Sequence, residues 1–164
     1  MKKFSFIIPI LFFAACEQNK VQFAIDGVWS IDSIYYKHYN IMSCISNNIL
    51  NIHFNRNTTL PIASGCENLI INGRVGTGVL TIEKSEDKDD TIPYRLAIKT
   101  KNQIFSGVHK IVFYKDAVNH LLKMEIYSDN LYIVCRKGLF DYDDNVDFVN
   151  QLEKISWNTR PRDW

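Results

Sequence analysis

His120-Leu-Leu-Lys-Met-Glu-Ile-Tyr127, Ser128-Asp-Asn130 and Leu131-Tyr-Ile-Val-Cys-Arg-Lys137 decide the fold of this chain. Leu122, Met124 and Ile126 fall on one side of an extended backbone, and Leu131, Ile133 and Cys135 repeat the alternation after the break. Successive side chains of a strand point to opposite faces, so a period of two marks strands with one dry face and one wet face. Ser128, Asp129 and Asn130 are the short polar residues that reverse a chain tightly. The stretch is therefore predicted to be an antiparallel hairpin with one apolar face.

The same alternation continues upstream. Residues 27–36 and 110–115 are predicted strands, and in 49–55 Leu50, Ile52 and Phe54 oppose Asn51, His53 and Asn55. A shorter strand is expected over 68–72, leading through Gly73, Gly76 and Gly78 into another at 79–84. In 91–100, Ile92, Tyr94, Leu96 and Ile98 oppose Thr91, Arg95 and Lys99. Eight strands at short spacing favour an all-β, eight-stranded antiparallel up-and-down barrel over a parallel α/β sheet. One helix is expected, over 145–155, where Val146, Val149, Leu152 and Ile155 make a stripe. Asp143, Asp144 and Asp147 crowd its first turn, where the helix dipole favours negative charge. Its stripe is expected to pack on the outside of the barrel.

The N-terminus has a separate logic. Lys2 and Lys3 precede an apolar run over 4–13, and Ala14-Ala15 sets small residues before Cys16. The run falls short of the roughly 20 apolar residues that span a bilayer. It resembles a bacterial lipoprotein export signal (residues 1–15), which implies that Cys16 begins the mature chain and carries fatty-acyl chains such as palmitate. Residues 16–26 then form the lipidated cysteine and a short tether, and 27–164 form one domain. The implied location is the cell envelope, anchored by lipid to the outer membrane, with the periplasmic and surface faces both open.

Loss of Lys2 and Lys3 with the signal takes the formal charge from +1 to about −1, which gives no electrostatic case for nucleic acid. A hydrophobic content of 46% with 13% aromatic residues suits a packed core and excludes a disordered stalk. With Cys16 committed to lipid, Cys44, Cys66 and Cys135 remain. Cys44 and Cys66 sit in loop-like contexts and are a plausible pair in an oxidising envelope, where a bridge would contribute about 3 kcal/mol on the chain-entropy view. Cys135 shares the apolar face of its strand and reads as a small buried hydrophobe.

Gly27-Val28-Trp29, opening the first strand, is similar to the Gly-x-Trp signature of lipocalins, and Arg136 stands where that family has a late arginine. The chain thus resembles a lipocalin-like bacterial lipoprotein over 27–155. The resemblance implies that Arg136 packs across Trp29 at the barrel base through a cation–π contact. It also implies an interior that holds one small ligand or is filled by side chains. A guest would be apolar or amphipathic, with Trp29, Phe54, Tyr94 and Met124 as the candidate lining.

The search for catalytic chemistry yields none. His38, His53, His109 and His120 are scattered without zinc-ligand spacing, and His53 and His109 are expected to be exposed. Asp141-Tyr-Asp143-Asp-Asn145 starts like a calcium loop, but Val146 occupies the position that needs glycine. No metal or cofactor is expected, and an enzyme is the least supported class. The leading expectation is a non-catalytic, anchored binder of a small hydrophobic ligand. The alternative is a protein-binding inhibitor or immunity lipoprotein, or an accessory subunit of an envelope complex, with a filled barrel. If the anchor is as read, Cys16→Ser in the full chain moves the protein out of the membrane fraction and abolishes lipid labelling; unchanged retention with an unlabelled wild type refutes it.

Overall fold

Among the described residues the chain forms nine strands, most of them built on alternating apolar and polar residues: β1 (Gly27–Tyr36), β2 (Tyr39–Asn40), β3 (Ile49–Ile52), β4 (Asn57–Thr59), β5 (Thr77–Lys84), β6 (Tyr94–Lys99), β7 (Gly107–Asp116), β8 (Leu121–Ser128) and β9 (Leu131–Gly138). The computed structural model describes residues 21–138 except 23–24, 55, 67, 71, 86–89, 91, 93 and 117–120. The signal, Cys16 and the helix expected over 145–155 lie outside the described residues. Every ladder between named strands is antiparallel, in the order β1-β3-β4-β5-β6-β7-β8-β9, and β9 pairs back onto β1. The result is a closed eight-stranded barrel, with β2 as an additional short strand on β1.

The expected hairpin forms, with a turn shorter than Ser128-Asp129-Asn130: Ser128 pairs with Leu131, so the loop is Asp129-Asn130. Met124 stands opposite Cys135 and Ile126 opposite Ile133, all of them fully buried. The inward set also includes Leu80 and Ile82 of β5, Tyr94, Leu96 and Ile98 of β6, and Ile111 and Phe113 of β7. β1 departs from simple alternation. Its pairing with β9 shifts between Ile31 and Ser33, so Asp32 is the extra residue of a β-bulge. The inward residues accordingly change phase, from Trp29 and Ile31 before the bulge to Ile34 and Tyr36 after it.

Two expected elements trade places. The described residues of 68–72 form no strand: the amides of Leu69 and Ile70 both bond to the Cys66 carbonyl in a turn, and Ile70 is buried under it. The strand lies instead at β4, whose Asn57-Thr-Thr sequence carries no apolar residue. Thr58 is fully buried there because its hydroxyl accepts from the His53 amide and donates to the His53 carbonyl. The β3–β4 ladder comprises the single pair Asn51 and Thr59.

The base of the barrel is closed from below by the chain that leads into β1. Val21 and Ile25 are fully buried, and the Trp29 indole N–H donates to the Ile25 carbonyl at 2.7 Å. Phe113 packs beside the indole at 6.5 Å between centroids. The cation over Trp29 is Lys137, whose Nζ lies 5.0 Å from the ring and donates to the Asp26 carbonyl at 3.1 Å. Burial pushes the Lys137 pKa down, and the Asp26 carboxylate partly opposes that shift. Arg136, expected in this place, points outward to Asp32 at 3.1 Å, with its side chain 50% exposed. Strand parity is the reason: with Cys135 inward, Arg136 must face out and Lys137 in. Lys137→Ala should therefore cost about 1–2 kcal/mol in chemical denaturation. Arg136→Ala should cost under about 1 kcal/mol, because exposed ion pairs contribute little.

Candidate functional site

Strand direction gathers four connections at one end of the barrel: residues 37–48, 60–76, 100–106 and 129–130. The chain enters at the opposite end, ahead of Gly27. The four connections are tied to one another. A disulfide joins Cys44 to Cys66, with Cα atoms 5.5 Å apart, as the loop contexts suggested. Beside it, Ile45 and Ala63 form an isolated antiparallel bridge, Ser46 N–H donates to the Ile62 carbonyl at 2.7 Å, and Ser64 N–H donates to the Cys44 carbonyl at 2.9 Å.

Asn102 is the second tie. Its side chain is fully buried, and the carbonyls of Pro61, Gly73 and Val75 surround its Nδ2 at 2.8–3.3 Å. Its Oδ1 accepts the Ile104 amide at 3.1 Å. One loop thus organises another: the two hydrogens of the amide are shared among three carbonyls, of which that of Gly73 also accepts the Ala63 amide at 2.8 Å. Gly73 permits the close approach: a Cβ there would lie 2.7 Å from Ile70 Cγ2 and 2.9 Å from the Ala63 carbonyl. The neighbouring Gln103 bonds to the Asn72 backbone in both directions, and its Nε2 donates to the Tyr36 hydroxyl at 3.1 Å.

The third tie is His109, expected to be exposed but buried at the start of β7. It follows the inward parity of Ile111 and Phe113. Its Nε2–H donates to the Phe105 carbonyl at 2.9 Å, which leaves Nδ1 to accept from the Ser128 hydroxyl at 3.1 Å. Burial lowers its pKa, and the bond to Phe105 offsets part of that shift.

The β1–β2 turn stands out on this braced surface. Tyr36 pairs with Tyr39, so Lys37 and His38 are a two-residue loop, and both have positive φ (50° and 68°). This is the type I′ arrangement, normally taken by Asn-Gly because other side chains crowd the backbone at a cost of roughly 1 kcal/mol per residue. The Lys37 amide donates to the Asn130 carbonyl at 2.8 Å, and its Nζ rests 5.5 Å from the centroid of the Tyr36 ring. Tyr39 is 65% exposed.

The residues proposed from sequence as ligand lining are not brought together at any opening. Trp29 and Met124 are 0% exposed and Tyr94 is buried. Phe54 is half-buried below β3, bridged to Leu80. Leu50, Ile52, Leu96, Phe105, Ile126, Ile133 and Cys135 also have no accessible surface, so a water-sized sphere reaches none of them. The interior around these residues is filled by side chains. Burial, with Asp32 nearby, pushes the Cys135 thiol well above its usual range. His53 sits at the entry end, 2.9 Å from the Asp26 carboxylate. Among the described residues, no three His, Cys, Asp or Glu side chains gather as a metal site. The chain significantly matches no known protein family, no curated protein and no solved structure.

Sequence reasoning missed Asn102 and the Lys37-His38 turn. Neither carries a signal: a loop asparagine looks solvated, and Lys-His lacks the Asn-Gly signature of a hairpin. Two expectations follow. A histidine whose folded pKa is depressed contributes stability above its unfolded value of about 6.5, lost as pH falls through that value toward the folded pKa. The melting temperature should therefore drop between about pH 7 and 5, and His109→Gln should flatten that drop. Separately, the double variant Lys37→Asn, His38→Gly should raise stability by about 1 kcal/mol or more in denaturant titration, through relief of two left-handed residues.

Proposed function

We propose that this chain is an envelope lipoprotein, anchored through acylated Cys16, whose lipocalin-like barrel acts without catalysis by binding another protein. An inhibitor, an immunity protein and an accessory subunit of an envelope complex all belong to this class. The observation that carries the reading is the filled interior: Trp29, Met124, Leu50, Leu96, Ile126, Ile133 and Cys135 have no accessible surface. Eight-stranded barrels either hold one small ligand or close around their own side chains. The inward side chains here fit the second kind. Trp29, Tyr94 and Met124 then serve as core, with Lys137, and not the Arg136 that the lipocalin resemblance implies, over the first-strand tryptophan.

The polarity of the barrel supports the same reading. Cys16 lies five residues before Val21, a reach of about 17 Å at full extension. Val21 is packed at the entry end, so an acylated Cys16 would hold that end close to the bilayer. The cross-tied connections at the other end then face away from the membrane. Binding loops on a rigid scaffold are the usual location of recognition, and bracing them lowers the entropy lost on binding.

Native mass spectrometry of the mature domain, residues 17–164, made in the envelope and purified without detergent, tests this. The expected result is the bare chain mass with the disulfide formed, and no uptake of added fatty acids or aromatic probes. A discrete adduct that disappears on denaturation would overturn the protein-binding reading in favour of a small apolar or amphipathic ligand inside the barrel.

A further inference from the structure

We infer that the β1–β2 turn, Lys37-His38-Tyr39, is the recognition element of the braced end, and that its partner is a protein surface that presents carboxylates. The inference rests on the protein-binding reading above and names the surface and the partner chemistry. Three independent observations converge on it.

The backbone comes first. Two consecutive non-glycine residues with positive φ occupy a turn that Asn-Gly would form without strain. The fold tolerates the arrangement because the surroundings over-determine it: Lys37 N–H is fixed to Asn130, and Tyr36 beneath it is fixed to Gln103. Strain held in this way is found at ligand-contacting sites, where the side chains matter more than the relaxed backbone.

Exposure and shape come second. Lys37, His38, Tyr39 and Asn40 are exposed in succession. Tyr39 has the highest exposure among the exposed large hydrophobic residues. A tyrosine supplies a broad contact area at low entropic cost, and asparagine and serine supply adaptable hydrogen bonds. Exposed Ser43, Ser46, Asn47, Ser64, Asn68 and Asn72 give the surrounding connections that composition.

Charge is the third observation. Among the described residues at this end, Lys37, Arg74, Lys99 and Lys101 are exposed, against Asp129 as the exposed acid. The Lys37 ammonium is held against the Tyr36 ring and is thereby partly prepared for a site with little water. A carboxylate of the partner meets that ammonium, and an apolar contact meets the Tyr39 ring.

The test uses the full-length protein in the cells that produce it. Photoreactive benzoylphenylalanine is placed at position 39, or at the exposed wall position 28 as control, and cross-linked peptides are mapped by mass spectrometry. The expected result is a protein cross-linked from position 39 and not from 28, at a segment carrying at least two Asp or Glu. K37E should reduce the yield about tenfold, the scale of one lost charge pair. K37N/H38G should reduce it similarly while its melting temperature stays equal or rises, which separates loss of recognition from loss of fold. Cross-links from 28 alone, none from either position, a contact segment without carboxylates, or full yield in K37E would each overturn the assignment. A partner captured from 28 would leave the protein-binding reading intact, whereas a small molecule retained in native mass spectrometry would remove that reading itself.

Discussion

The pairing of β9 back onto β1 makes a barrel of what would otherwise be an open meander, and it constrains the rest of the molecule. β1 has to serve β9 along one edge while its other edge is shared, with β3 beside residues 27–30 and β2 beside residues 35–36. A straight strand of strict alternation would put either Trp29 or Tyr36 on the wrong face. The bulge at Asp32 removes that conflict. With Trp29 turned inward, the base closes against Ile25, Phe113 and Lys137. With Tyr36 also turned inward, its hydroxyl is available to Gln103, and the braced connections are joined to the wall of the barrel. One extra residue in one strand thus couples the two ends.

Under the protein-binding proposal, a filled barrel moves specificity from the inside to the rim. A side-chain-filled core gives the loops a fixed platform. Asn102, His109 and the disulfide extend that rigidity beyond the strands. Each uses different chemistry: a buried amide satisfying foreign carbonyls, a neutral imidazole bridging a carbonyl and a hydroxyl, and a covalent bond. The side chains left exposed at this end are therefore presented from a frame with little freedom, the condition under which a few residues give a large share of binding energy.

Much of the barrel was legible in the sequence because alternation is a direct readout of a half-buried strand. The boundaries of β1 and the apolar face of the β8–β9 hairpin followed from it. It failed where burial is achieved by hydrogen bonding: Thr58 has no hydrophobic signal, yet its hydroxyl satisfies both backbone groups of His53 and lets β4 sit inside. Residues 68–72 failed in the opposite sense, since Ile70 is apolar for a loop that folds over the core. Arg136 is a different lesson. Family likeness placed it against Trp29, whereas parity counted from Cys135 assigns that position to Lys137. The candidate site was the least legible part, because it is assembled from connections distant in sequence whose polar residues look solvated until the loops are seen together.

The narrow ladder between β3 and β4 gives the disulfide a meaning beyond loop rigidity. One residue pair joins these strands, and Asn51 beside it has a buried side-chain oxygen without a partner. Cys44 precedes β3 and Cys66 follows β4, so the covalent bond spans that seam like a clasp across the weakest stave of a cask. With the thiols reduced, that seam would rest on the Asn51–Thr59 pair, the Ile45–Ala63 bridge and the hydrogen bonds beside it, so opening there would cost less than at a longer ladder. Oxidation adds a covalent tie across it. Closure of this barrel is therefore coupled to the chemistry of its surroundings, and a reducing compartment would favour a looser, more easily threaded chain than an oxidising one.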